Sequence, residues 1–518
     1  MADGPDVARP NQHDRPPTMA ATTEPPAAAG RRSARTRRLA AVAGVIVLLV
    51  AVVAVVVVRH GRSPAGDGPP KEDGRPNFVV FMTDDQTAES MRVMTRVKEL
   101  IADRGVTFDN SFASFPLCCP SRATYLTGQY GHNHGVMGNV PPSGGIEAFT
   151  QPETTFVAAL QKGGYRTVHI GKYLNGYGAR VRPTIPPGWS DWFGSIDSSS
   201  YRYFGYQLST KDGVVRHGNR PSDYQTDRYG ELAAELVEGG RRGGRPFFVN
   251  VAFLAPHNEV KRGEDEGAGG SPVPAPRHAG TLGNESLPDT AAFDEADVTD
   301  KPKAVQNLPQ LSGPVRNGIL AAYRARLESL LAVDEAVGRV VEALRRSGEL
   351  QRTVLMFTSD NGFMHGEHRI PRGKAQVYDP STRVPLLISG PGLAQGKTRS
   401  AVVANIDLAP TILDLAGVEP LRPVDGRSLV PLARGTGTYG DRAVLLEMGG
   451  SFGRTLGVRT ERHLYVERPT GEKELYASAD DPEQLENRAA DPALADIRAD
   501  LTMRLARLRR CAEATCQE

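Results

Sequence analysis

The segment Asn77 to Gln86, NFVVFMTDDQ, sets the fold class. Its apolar residues, Phe78 to Met82, run without alternation and stop at Thr83-Asp84-Asp85. A strand with one wet face alternates apolar and polar residues; a strand covered on both faces does not. The pattern recurs. Thr167 to Ile170 leads into Gly171-Lys172, Phe247 to Leu254 into Ala255-Pro256-His257, and Val354 to Phe357 into Thr358-Ser359-Asp360-Asn361. Between the last two, residues 315–347 carry Ile319, Tyr323, Leu327, Leu330, Leu331, Val337, Val340, Val341 and Leu344 on one helical face before Gly348. Such strands and helices predict an α/β fold with a mixed, mainly parallel central sheet flanked by helices. Open α/β sheets bind ligands at the carboxyl ends of their strands. The reactive residue types collect at those ends.

Outward from this core, residues 1–38 are rich in Pro, Ala, Thr and Arg and read as a disordered cytoplasmic tail. Residues 39–58 are uninterrupted apolar sequence, long enough as a helix to span the hydrocarbon core of about 30 Å. Arginines at 31, 32, 35, 37 and 38 precede this run, which favours a cytoplasmic N-terminus with the remainder outside. The run reads as a single-pass anchor, with a cleaved signal as the alternative. Residues 59–76 have linker composition, and folded sequence starts at Asn77. A catalytic domain is expected over 77–437 and a smaller C-terminal α+β subdomain over 438–518. In the latter, VLLEMGG, TLGVRTERHLYVER and GEKELYASA read as an antiparallel meander with alternating positions, closed by a basic helix over 491–510. Cys511 and Cys516 could pair outside the cytoplasm or stay free thiols.

Composition removes several classes. The 518 residues include 62 Lys plus Arg against 60 Asp plus Glu, and 39% are hydrophobic, so neither a wholly disordered chain nor an electrostatic nucleic-acid binder is expected. Four cysteines exclude a disulfide-built scaffold.

Asp84-Asp85 and Asp360-Asn361 offer carboxylates and an amide oxygen, a hard donor set suited to Ca²⁺ or Mg²⁺ and not zinc. Taken alone, an Asp-Asp pair is a cap or solvated loop, and Asp-Asn-Gly is a turn. A third element changes the reading. Cys118-Cys119-Pro120-Ser121-Arg122, followed by Leu126-Thr127-Gly128, resembles the Cys-x-Pro-Ser-Arg signature of the type I sulfatases, in the alkaline phosphatase superfamily. The resemblance continues through Asn77 to Gln86, Gly171-Lys172-Tyr173, Pro256-His257, Ser359 to Gly362 and Gly373-Lys374, and covers about residues 75 to 490. LCCPSR, GKYLNGYG and YDPSTRVPLLISGPG are most similar to the N-acetylglucosamine-6-sulfatase group.

The resemblance implies an alkaline phosphatase-like fold and hydrolysis of a sulfate ester on a sulfated sugar. It implies that a formylglycine-generating enzyme converts Cys118 to formylglycine. Asp84, Asp85, Asp360 and Asn361 would hold one divalent cation, Ca²⁺ before Mg²⁺, together with an oxygen of modified Cys118. Arg122 would fix the formylglycine, Lys172 and Lys374 would bind sulfate oxygens, and His257 would protonate the leaving alcohol. One departure stands out: many sulfatases carry Gly-Lys-x-His, and here Gly171-Lys172-Tyr173-Leu174-Asn175 contains no histidine. His365, His368 and an orienting Asn175 are candidates for sulfate elimination. His132 and His134 read as structural, Cys119 as inert, and the polar stretch 258–312 as a shaper of the leaving-group pocket. Two rival readings are a phosphodiester or phosphonate ester hydrolase of the same superfamily and an inactive carbohydrate-binding relative.

Overall fold

The structure, a computed structural model, describes residues 74–260, 270–449 and 454–517. The tail at 1–38, the apolar run at 39–58 and most of the linker at 59–76 lie outside the described residues. Among the described residues no helix is long and apolar enough to cross a membrane.

The main sheet is built from β1 (Asn77–Thr83), β2 (Gly105–Phe108), β3 (Arg166–Gly171), β4 (Asp191–Ser195), β5 (Gln207–Thr210), β6 (Gly213–Arg216), β7 (Phe247–Ala252), β8 (Thr353–Ser359), β9 (Leu386–Ser389) and β10 (Lys397–Arg399). Its order is β10-β2-β9-β8-β1-β7-β3-β4-β5-β6. The strands from β8 to β4 are parallel, whereas β9 and β5 run antiparallel to their inner neighbours. The four apolar runs of the sequence are the four central strands.

The absence of alternation in β1 has a direct cause. Phe78, Val80 and Met82 pack on one face, beneath helices α1 (Cys118–Thr127) and α2 (Phe156–Lys162). Val79 and Phe81 face the other way, toward α3 (Gln225–Glu238) and α4 (Gly313–Arg346). Every residue of β1 is buried, and each large apolar side chain removed from water contributes about 1.5–3 kcal/mol. The helix expected over 315–347 is α4, and Pro314 opens it where a missing N–H costs nothing.

Register decides what the strand ends bring together. Thr83 lies opposite Ser359, Met82 opposite Ala252, and Gly171 opposite Ala252. The carboxyl ends of β8, β1, β7 and β3 therefore stop at one level, and the residues that follow them share one rim.

The C-terminal region forms a four-stranded antiparallel sheet, β11 (Val444–Met448), β12 (Thr455–Arg459), β13 (His463–Glu467) and β14 (Lys473–Ala477), followed by helix α5 (Ala495–Leu508). The meander is as expected, but the alternation is not. β11 is buried throughout, because its residues share one core with α5 and with Phe112, Tyr130, Met364 and Tyr378 of the main body. A sheet covered on both sides has no wet face on which to place polar residues. Cys511 and Cys516 form a disulfide.

Candidate active site

Each of the four central strand ends delivers one or two reactive groups. Asp84 and Asp85 follow β1, Asp360 and Asn361 follow β8, Lys172 follows β3, and His257 lies five residues beyond β7. Cys118 is the first residue of α1, where unpaired backbone N–H groups favour developing negative charge. Gly128, in the left-handed region at φ 67°, ends that helix. One ligand atom from each of Asp84, Asp85, Cys118 and His257 lies within 4.8 Å of the others.

Arg122 ties three strand ends together. Its Nε donates to Asp360 Oδ2 (2.8 Å), Nη1 to the Lys172 carbonyl (2.8 Å) and Nη2 to Asp84 Oδ2 (3.1 Å). Lys172 Nζ also donates to Asp84 Oδ2. Lys374, on the loop after β8, donates to Asp85 Oδ1 (2.8 Å) and Cys118 Sγ (2.8 Å). The thiol of Cys118 donates to Asp84 Oδ1 (3.4 Å). His257 Nε2 is 3.6 Å from Asp85 Oδ2, and its Nδ1 donates to the Asn258 carbonyl (2.7 Å).

These charges compete with burial. Burial pushes the Asp84 carboxyl up, but Lys172, His257, Arg122 and Lys374 outweigh it and hold it below its ordinary value. Asp85 follows the same balance, with Lys374 as the leading cation. For Asp360, burial and the neighbouring Asp84 charge prevail over Arg122, so its carboxyl is raised. Burial, then Asp84, raise the Cys118 thiol well above its usual value, and burial lifts Cys119 to about 12.

The donor set fits a hard divalent cation. The Asn361 amide gives its nitrogen to Asp85 Oδ1 (2.6 Å), while its Oδ1 is buried without a hydrogen-bond partner. A buried amide oxygen left unpaired is costly. Beside three carboxylates it is an oxygen of the kind that Ca²⁺ or Mg²⁺ takes.

All nine residues singled out in the sequence meet at this rim. Other expectations part from it. His365 and His368 line a separate cavity of about 190 Å³ with Tyr323, Glu367 and Asp379. His368 Nδ1 pairs with Glu295 (2.6 Å), and burial holds His365 well below its ordinary pKa. His132 and His134 are structural: His132 bridges Glu447 (3.1 Å) and the Cys511 carbonyl (2.9 Å), and His134 contacts Thr124 Oγ1 (3.0 Å). Within 258–312, Asn258 touches the site, whereas 261–269 lie outside the described residues.

Two residues at the site escaped the sequence reading. The Tyr201 ring lies 4.4 Å from Lys172 Nζ and 4.9 Å from the His257 ring, and its hydroxyl accepts from Asn175 (2.7 Å). Arg326, from α4, donates to the Asp85 carbonyl (2.8 Å) and to Asn258 Oδ1 (3.0 Å). Tyr201 sits in an aromatic-rich stretch with no motif. Arg326 did leave a signal: three residues beyond Tyr323 and four before Leu330, it is a charged residue on the apolar face.

Comparison with known proteins agrees with this geometry. The sulfatase family profile matches residues 76–418, and the N-sulphoglucosamine sulphohydrolase C-terminal profile matches 366–511. Human N-acetylglucosamine-6-sulfatase is 35% identical over 73% of this chain and 68% of its own length. An extracellular sulfatase of Drosophila melanogaster is 34% identical over 69% of this chain, but the match spans only 31% of that protein. A structure solved in complex with its substrate D-glucosamine-2-N,6-O-disulfate superposes with a TM-score of 0.71 at 25% identity, covering 84% of this chain and 98% of that one. The profile extends from the strand that leads into Asp84 to the helices beyond Lys374, and on this ground the chain belongs to the sulfatase family, whose members are sulfuric ester hydrolases.

Proposed function

We propose that the protein removes a 6-O-sulfate from an N-acetylglucosamine-like sugar, using a formylglycine made from Cys118 and a Ca²⁺ ion held by Asp84, Asp85, Asp360 and Asn361. The observation that carries this reading is the position of Cys118 Sγ, 3.4 Å from Asp84 and 2.8 Å from Lys374 at a helix N-terminus. The names of the human relative and of the substrate complex support the sugar.

Formylglycine at position 118 would supply, as its hydrate, a hydroxyl nucleophile for sulfur and a second hydroxyl on the same carbon through which sulfate could be released and the aldehyde restored. The metal ion, when bound, lowers the pKa of that nucleophile and polarises a sulfate oxygen. The chain's own groups do the rest. Arg122, locked between Asp84 and Asp360, holds residue 118 against the carboxylates. Lys172 and Lys374 offer ammonium groups to sulfate oxygens, whose charge grows in the transition state. His257, with Nδ1 donating to Asn258, presents Nε2 to the leaving alcohol as general acid. Cys118 is wholly buried, so modification by a formylglycine-generating enzyme precedes closure of the fold around it. The segment 39–58 is proposed as an anchor that leaves domains 77–437 and 438–518 outside the cell; the extracellular relative supports the outside location alone.

Mass spectrometry of the Cys118 peptide from the native host tests the nucleophile. Formylglycine is expected, and an unmodified thiol in all active material would overturn the mechanism. Parallel assays on N-acetylglucosamine-6-sulfate and an aryl phosphodiester test the substrate class. Faster phosphodiester turnover would replace the reading with a phosphodiesterase.

A further inference from the structure

Arg326 belongs to none of the motifs that define the site, yet it touches three of the segments that build it. It projects from the middle of α4 and is 3% exposed. Nη2 donates to the Asp85 carbonyl (2.8 Å) and lies 3.8 Å from Asp85 Oδ2. Nη1 donates to Asn258 Oδ1 (3.0 Å). The guanidinium plane covers the Phe363 ring at 3.9 Å, two residues beyond Asn361.

A buried guanidinium carries a large desolvation cost, which the Asp85 carboxylate, 3.8 Å from Nη2, offsets in part. It also receives two neutral acceptors and an aromatic face. Both acceptors are informative. Asp85 has φ 66°, a left-handed backbone that aspartate adopts at some cost, and its carbonyl is held by Arg326 while its N–H donates to Asp360 Oδ1 (3.1 Å). Asn258 is the residue whose own carbonyl accepts from His257 Nδ1 (2.7 Å). That bond sets the tautomer and leaves Nε2 facing the cluster.

We propose that Arg326 is a positioning residue that holds the Asp85 turn and the His257 imidazole in one fixed relation. It rests on the reading of Asp85 as a metal ligand and His257 as general acid. The fork geometry matters as well as the charge, because two acceptors on different segments must be reached from one plane; lysine cannot do this. Partners that orient metal ligands in this way typically alter affinity or activity by about 10–100-fold when removed.

The test uses the full chain with Arg326→Lys, Arg326→Gln and Asn258→Ala, assayed on N-acetylglucosamine-6-sulfate and on 4-nitrophenyl sulfate. Ca²⁺ affinity is measured separately by calorimetry. Wild-type hydrolysis of the sugar sulfate is the reference; without it, the functional reading fails before Arg326 is questioned. Arg326→Lys is expected to lower kcat on the sugar sulfate about 10–100-fold with KM little changed, and to weaken Ca²⁺ binding about 10-fold. The loss on 4-nitrophenyl sulfate is expected to be smaller, because that leaving group departs without a proton. Asn258→Ala, which leaves the Asp85 bond in place, should lower kcat on the sugar sulfate while Ca²⁺ affinity stays at the wild-type value. Equal losses on both substrates with unchanged Ca²⁺ affinity would reduce Arg326 to a packing residue and overturn the proposal. So would full activity in Arg326→Lys. If both Arg326 variants fail to fold, Asn258→Ala decides: unchanged kcat on the sugar sulfate overturns the link to His257.

Discussion

Cys118 and Cys119 are neighbours, both fully buried, and a single helical step separates their fates. Cys118 Sγ meets Asp84 and Lys374, whereas Cys119 packs into the hydrophobic core and its backbone N–H donates to Asn139 Oδ1 (3.0 Å). Cys118→Ala is therefore expected to lower turnover by at least about 10³-fold with an unchanged unfolding midpoint. Cys119→Ala should keep turnover within about threefold and cost about 1 kcal/mol, read from urea denaturation. His257→Ala separates acid catalysis from binding: turnover of a sugar sulfate should fall about 10²–10⁴-fold, and that of 4-nitrophenyl sulfate far less. An equal fall on both substrates would remove His257 from the role of proton donor. At this scale the sequence was most legible where residue type is rare and order is fixed, as in Cys118 to Arg122. It was least legible at Tyr201 and Arg326, whose partners are 26 to 241 residues away in the chain.

The elements hold the site through tight backbone contacts as much as through side chains. Gly171 ends β3 at φ 99°, and a Cβ placed there would lie 2.0 Å from the Ala252 carbonyl oxygen and 2.8 Å from the Tyr229 ring. No alanine fits without parting β3 from β7, so Gly171→Ala is expected to destabilise the fold by at least about 2 kcal/mol and to displace Lys172. Urea unfolding reads the first effect, and a drop in kcat on the sugar sulfate reads the second. The apolar strand runs and the helix over 315–347 were visible in the sequence because burial on both faces and a 3.6-residue period leave distinct patterns. The alternation expected in the C-terminal meander failed for a physical reason. Its outer face is not outer: α5 covers one side and the main body the other.

Across the whole molecule, neutral histidines have been locked into dry surroundings. Burial lowers His134 and His169 to about 3 from an ordinary 6.5. The unfolded chain binds these protons below about pH 6.5 and the folded chain does not, so stability falls as pH drops from there toward about 3. The unfolding temperature should therefore decline through that window, and His134→Gln should shrink the decline; an equally steep profile in the variant would assign the pH dependence elsewhere. The sequence by itself determined the class of fold, and its motifs, through their resemblance to the sulfatases, picked out the nine groups that meet at the rim. The fold class resides in local periodicity and the motifs in a fixed order of residues, both of which the chain carries without folding. Only the tertiary structure decided that Thr83, Ser359, Ala252 and Gly171 stop level, that His365 and His368 turn to another cavity, and that Arg326 reaches Asp85. Strand register and helix docking arise from packing between segments hundreds of residues apart, and no local pattern encodes a distance that the chain creates only when it closes.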